Sequence, residues 1–309
     1  MTEKDYKILL KNKLIEYRNS LNLTSDLTFG VEIEYENIPI ETFTNLLNEE
    51  KKLNPNIKKW ISKRELDLEE YNNKIKEWMN GEVTSPILTD NKENWNNLKI
   101  ILDLLNKSDA IITNKCGGHV NIGAHILGNN QEYWRNFLLL WLLYYDEICK
   151  FSSGEFINLR KRRTDVLNKS NTILNINTNY ISKINDNIYD YLTQACYQFF
   201  SKKYDLSLEH FIYPYLEENN RIEFRLPNAT LNETIWQNYI NFFAKFVLAC
   251  KKELDIEKTL YKIKNKESSA IELANYIFDS DIDKEYFIIQ TLKTNKIYKK
   301  ELLEHKIYY

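Results

Sequence analysis

Glycine and proline are scarce in this chain, seven and five among 309 residues. That argues against a loop-rich all-β fold and for long helices. Cysteine is equally sparse: Cys116, Cys149, Cys196 and Cys250 lie far apart and form no CxxC pair. A disulfide framework is therefore not expected; the pattern fits reduced thiols in a cytosolic protein. Charge is close to balanced, with a net value of -2 and a pI of about 6.2. No global bias points to nucleic acid or to a membrane surface. Long apolar runs are missing as well. The most apolar stretch, FLLLWLLYY at Phe137–Tyr145, is far short of the ~20 residues that span a bilayer and reads as a buried helix. The first residues carry acids and no apolar core of a signal peptide, so a cytoplasmic location is expected. There is also no GxxxxGK[ST] loop to cradle phosphates.

Length and composition allow one large domain with a substantial core. Helical spacing predicts an amphipathic helix over 4–20, a helix over 92–108, a long apolar helix over 131–151 and another from Asn232, capped by Asn232 or Thr230. Residues 256–309 read as several short helices forming a C-terminal extension. Strands are expected at TFGVEIEYEN (28–37), GEVTSPIL (81–88), DLSLEHFIYPYL (205–216) and RIEFRLPNAT (221–230). A hairpin-like segment is expected over 110–127, bending at Gly117 and Gly118. The charged stretch 41–80, with Trp60 and Trp78 as packing anchors, reads as a surface insertion or lid. The fold class is α+β.

Strand side chains alternate between faces. Val31, Ile33 and Tyr35 then share one face, and Glu32, Glu34 and Glu36 the other. Ile222, Phe224 and Leu226 oppose Arg221, Glu223 and Arg225. Val120 and Ile122 oppose His119 and Asn121, and Val83 opposes Glu82 and Thr84. A solvated outer face would give the same alternation on any one strand. Here the polar positions are mostly acceptors, although lysine is abundant elsewhere. Glu32 and Glu34 would lie ~7 Å apart, where unneutralised carboxylates repel. A divalent cation relieves that, and carboxylates with one imidazole suit Mg²⁺ or Mn²⁺. Arg225 adds a fixed charge for a phosphate. The set points to nucleotide-dependent phosphoryl transfer in which metals replace a P-loop.

FGVEIE, GEVTSPIL, CGGHVNIG and RIEFRLPNAT, in this order from Phe29 to Thr230, resemble the amidoligase family. That family belongs to the carboxylate–amine ligase superfamily, with glutamine synthetase and glutamate–cysteine ligase. The resemblance implies a single catalytic domain on a curved, mostly antiparallel sheet, a partial barrel covered by helices. It implies ATP-dependent amide formation through an acyl phosphate, with a carboxylate and an amine, free or peptide-borne, as substrates. By motif, Glu32, Glu34, Glu82, His119 and Glu223 would hold Mg²⁺ or Mn²⁺, with His119 on the ion that bridges the ATP phosphates. Arg225 would stabilise the transferred phosphoryl group, with Glu32 as the second catalytic position. The family commonly has His-x-His where this chain has His119-Val120-Asn121, and Asp67 is the candidate for its acid upstream of Glu-x-x-Ser-Pro. Within that reading Arg160, in the basic run NLRKRR (158–163), would reach ATP or a substrate carboxylate.

Two other classes stay open at this level. One is a non-catalytic metal or nucleotide-binding module on the same fold. The other is a hydrolase or acyltransferase using Cys116 and His119. His125, His210 and His305 have no assigned role, and the sequence leaves room for an oligomer.

Overall fold

A computed structural model describes residues 15–68, 70–153, 205–212 and 220–304, with side chains up to 292 in the last stretch. Among these residues the architecture is α+β: one open sheet with helices packed against it and a helical C-terminal stretch. The strands are β1 (Phe29–Pro39), β2 (Ile61–Lys63), β3 (Glu70–Asn72), β4 (Glu77–Thr84), β5 (Gly118–Gly123), β6 (Leu206–Ser207) and β7 (Arg221–Phe224). Their order is β2-β4-β1-β5-β7-β6, with β3 following β2 along β4, and every pair is antiparallel.

The apolar face is the one that alternation predicts. Val31, Ile33, Tyr35, Val83, Val120, Ile122, Ile222 and Phe224 are all fully buried. Four helices cover it: α1 (Ile40–Leu53), α2 (Lys92–Lys107), α3 (Gln131–Leu143) and α6 (Glu233–Ala249). Phe43 of α1 packs on Tyr35, Trp95 of α2 stacks on Phe29, and Trp141 of α3 and Phe243 of α6 close on Phe224. Each such side chain contributes about 1.5–3 kcal/mol when taken out of water. Gly118 permits α6 to approach β5 closely, because a Cβ there would sit 2.7 Å from the Trp236 ring and 2.8 Å from the Asn228 carbonyl.

Several elements differ from expectation, each for a local reason. Residues 15–20 are not helical; the Gln237 side chain accepts from the Arg18 amide and donates to its carbonyl, and Asp90 accepts from the Ser20 hydroxyl and from the Leu21 and Leu23 amides. The rest of the expected 4–20 helix lies outside the described residues. Strand β4 starts at Glu77 and stops at Thr84, because Ser85 turns the chain: its hydroxyl accepts from the Val31 amide and donates to the Pro86 carbonyl. Segment 110–127 is not a hairpin. Both Ile111 and Gly118–Gly123 pair with β1, so 112–117 is a bulge within one line of pairing. The long helix breaks at Tyr144 into α3 and α4 (Tyr145–Ser152), which brings the Tyr145 hydroxyl 2.5 Å from Asp205. β6 pairs with β7, but Glu209–Ile212 forms one helical turn (α5) where strand was expected. Asn232 caps α6, accepting from the Thr234 and Ile235 amides.

After α7 (Ile256–Asn265) and α8 (Ala270–Ile277), the tail is one long helix, α9 (Asp281–Glu304). Its buried Asp283 is held by Arg18, Lys245 and Asn241. Within 41–80, Phe43, Leu47, Ile57 and Trp60 are buried, and Ile61–Lys63 and Glu70–Asn72 extend the sheet beside β4. Trp60 is a packing anchor. Trp78 is not: it is 39% exposed, under the Arg64 guanidinium and edge-on to Tyr71.

Candidate metal and phosphate site

Residues directly opposite each other in paired strands share a face. Here Glu34 lies opposite Glu82, and Glu32 lies between Thr84 on one side and His119 on the other. Asn121 lies opposite Glu223, and Lys63 opposite Glu82. Five strands therefore deliver one continuous polar face. It is not a solvated exterior: Glu82, His119 and Glu223 are 1–2% exposed, and Glu32, Glu34 and Asn121 no more than 8%.

The side chains converge on His119. Its Nδ1 lies 3.1 Å from Glu32 Oε2 and 3.6 Å from Glu223 Oε1, and its Nε2 lies 3.4 Å from Glu34 Oε1. Asn121 donates to Glu32 Oε1 at 3.0 Å, and the Gly117 amide donates to Glu34 Oε2 at 2.5 Å. Arg225 is paired with Glu223 Oε1. Lys63 lies 2.9 Å from Glu82 Oε1, which also accepts from the Thr84 hydroxyl at 3.0 Å.

These surroundings pull the carboxyls apart in acidity. Burial would raise Glu32, but the His119 hydrogen bond and charge outweigh it and bring Glu32 down to about 2. Glu223 is likewise buried, and His210 and Arg225 hold it well below the usual carboxylate range. Glu82 moves the other way, raised by burial and then by the charge of Glu32. Glu65 is raised by burial and by Glu34. The face thus holds more carboxylate than its own cations neutralise comfortably.

A divalent cation fits these residues. Glu32, Glu82 and His119 each offer a ligand atom, all within 4.8 Å of one another, and Glu34, Glu65 and Glu82 do the same. The Nε2 of His119 is buried and has no hydrogen-bond partner. Such an orphan is costly unless something binds it. Hard oxygens with one imidazole match Mg²⁺ or Mn²⁺.

Glu32, Glu34, Glu82, His119, Glu223 and Arg225 are all brought together, as the motifs anticipate. Arg160 lies outside the described residues. Asp67 does not join: it is exposed, and its amide donates to Glu65, whose carboxylate is the one that reaches the cluster. Glu36 also stays apart, with Oε2 accepting from Thr113.

Reading the sequence missed Glu65, Lys63 and His210, and placed Arg221 on this face without a role. His210 comes within 3.4 Å of Glu223, and Arg221 spans from His210 to the Asn121 carbonyl oxygen at 3.0 Å. Asn121 is thereby fixed as a donor to Glu32, which leaves its amide nitrogen and not its oxygen toward the acids. The Cys116 reading finds no support. Burial pushes that thiol up to about 11, the reverse of what a nucleophilic thiolate needs, and its sulfur faces Thr113.

The family described as "Putative amidoligase enzyme" matches residues 25–247, well over half of the chain and every strand and motif of this site. The chain belongs to the amidoligase family. No curated protein matches the sequence. Among solved structures the chain is similar to a bifunctional glutathione synthetase from Pasteurella multocida, with 11% identity and a TM-score of 0.40 over 97% of this chain and 50% of that one. The amidoligase chain spans half the length of that protein. Among its described residues, no helix is long and apolar enough to cross a membrane.

Proposed function

We propose that this amidoligase is an ATP- and Mg²⁺-dependent carboxylate–amine ligase acting on an amino acid or peptide. The observation that carries the reading is the buried face of Glu32, Glu34, Glu82 and Glu223 around His119, whose Nε2 makes no hydrogen bond, with Arg225 paired to Glu223. Glu32, Glu34, Glu65, Glu82, His119 and Glu223 would hold the divalent cations. Bound there, they would neutralise the triphosphate and replace the absent P-loop.

In the reaction, a carboxylate oxygen of the substrate attacks the γ-phosphorus of ATP. The bond to the β,γ-bridging oxygen breaks and ADP leaves. The amine then attacks the carbonyl of the acyl phosphate, an amide bond forms, and inorganic phosphate departs with the carboxylate oxygen. Arg225 supplies a guanidinium where negative charge accumulates on the transferred phosphoryl group. Removing a donor of that kind lowers turnover by roughly 10²–10³. Arg160 keeps the role of a further contact to ATP or the carboxylate.

The test is ADP release with Mg²⁺ and panels of carboxylates and amines, comparing wild type with Glu32→Gln. Release that depends on Mg²⁺, on both substrates and on Glu32 supports the reading. Identical behaviour of the two proteins would sink it. The stretch 41–80 expected as a lid packs Phe43, Leu47, Ile57 and Trp60 into the core, so for a lid within it we propose 64–68, the segment that carries Glu65 to the cluster. Limited proteolysis with and without MgATP should show altered cleavage there, and unchanged cleavage would count against a lid.

A further inference from the structure

Lys63 stands out on the acidic face because it occupies a place that a metal ion needs. It sits on β2, directly opposite Glu82 in register, so both side chains project to the same side. Its ammonium meets Glu82 Oε1 at 2.9 Å. Glu82 is the carboxylate shared by both groups of potential metal ligands, the one with Glu32 and His119 and the one with Glu34 and Glu65. A cation bound to that oxygen would lie about 2.0–2.6 Å from it. An ammonium at 2.9 Å from the same oxygen would then face a dipositive ion at close range. The two positive groups would compete for that oxygen.

The two partners differ in how freely they can move. The Glu82 side chain is 2% exposed, whereas that of Lys63 is 50% exposed on a four-carbon stem. Lys63 can withdraw toward solvent by changing rotamers, and Glu82 cannot follow it. Across the sheet, Arg225 is paired with Glu223. Lys63 therefore supplies the counter-charge on the β4 side before any metal arrives. Without it, Glu82 would face Glu32 and Glu34 with no direct cation of its own.

We infer that Lys63 is a positioning residue, an internal counter-ion that holds Glu82 ready until a divalent cation displaces its ammonium. This rests on the reading that the cluster binds such cations. A merely structural surface ion pair would have no effect on metal affinity, or would weaken binding when removed. The displacement account predicts the opposite sign, because wild type must break the Lys63–Glu82 pair in order to bind.

The first measurement is calorimetric titration of Mn²⁺ into wild type, Lys63→Met and Lys63→Arg. Lys63→Met should bind Mn²⁺ about two- to fivefold tighter than wild type, the range that an ion pair of this exposure corresponds to. Lys63→Arg, which keeps a charge on Glu82, should not gain. The second measurement needs no variant: acetylation of Lys63 in the wild-type chain, read by mass spectrometry. Its reactivity should rise when Mn²⁺ is added. If wild type binds Mn²⁺ but Lys63→Met binds it equally or less well, or Lys63 reactivity stays unchanged, the inference is overturned while the metal site stands. If wild type binds no Mn²⁺, both fall.

Discussion

Replacing Arg225 by methionine removes the guanidinium that faces Glu223 while keeping a side chain of similar length. The Glu223 side chain is 2% exposed and that of Arg225 14%, so the pair is nearly dry. Removing one partner of a buried pair costs about 3–5 kcal/mol, because the other charge is left uncompensated. Glu223 retains His210 at 3.4 Å and His119 at 3.6 Å, which places the expected loss at the lower end, about 3 kcal/mol. Replacing Glu223 by glutamine as well removes the stranded charge. The double variant Arg225→Met/Glu223→Gln should therefore recover more than half of the loss, a coupling of about 1.5 kcal/mol or more. Urea denaturation in EDTA, followed by both tryptophan fluorescence and circular dichroism, measures this, with the midpoint compared at unchanged slope. A single variant within about 0.5 kcal/mol of wild type would refute the reasoning. So would a double variant no more stable than the single one.

Two further predictions concern the scaffold that positions the site. Gly118→Ala should destabilise the chain by about 1–3 kcal/mol in the same urea assay, because the added methyl meets Trp236 and the backbone of Asn228 and Ala229, none of which can swing away; an unchanged midpoint would contradict the close packing of α6 on β5. Asp90, which burial would raise, is held below its ordinary value by the Leu21 and Leu23 amides, Trp95 and Ser20. A depressed folded value gives stability that is present above the unfolded value of about 3.9 and is lost as pH falls through the folded one. The midpoint gap between wild type and Asp90→Asn should thus narrow as pH drops from 7 toward 3, and a gap independent of pH would count against that hydrogen-bonded carboxylate.

What was legible in the sequence follows from what has a period. Glu32, Glu34, Glu82, His119 and Glu223 lie on regular strands, where alternation alone sends them to one face. Glu65 does not, because it sits in the bulge between β2 and β3 and no alternation places it. His210 is hidden for a similar reason: the turn of helix after β6 re-aims it at Glu223 in a stretch that reads as strand. Lys63 was passed over because an exposed lysine on a short strand resembles any other. The break at Tyr144 left no mark in an apolar run. Trp60 and Trp78 look alike in sequence, and only their surroundings separate a core anchor from a half-exposed ring under Arg64. Burial of the polar face was not legible in the alternation, which reports which side a residue takes and not what covers that side; its sign was the run of acceptors in a lysine-rich chain.

The central claim is that a substrate carboxylate is activated as an acyl phosphate on this face. A carboxylate labelled with ¹⁸O, chosen from whichever members of the panel support ADP release, tests it by mass spectrometry of the inorganic phosphate. The reaction written above predicts one ¹⁸O atom transferred to each phosphate released. Phosphate that forms without label from the carboxylate would contradict it.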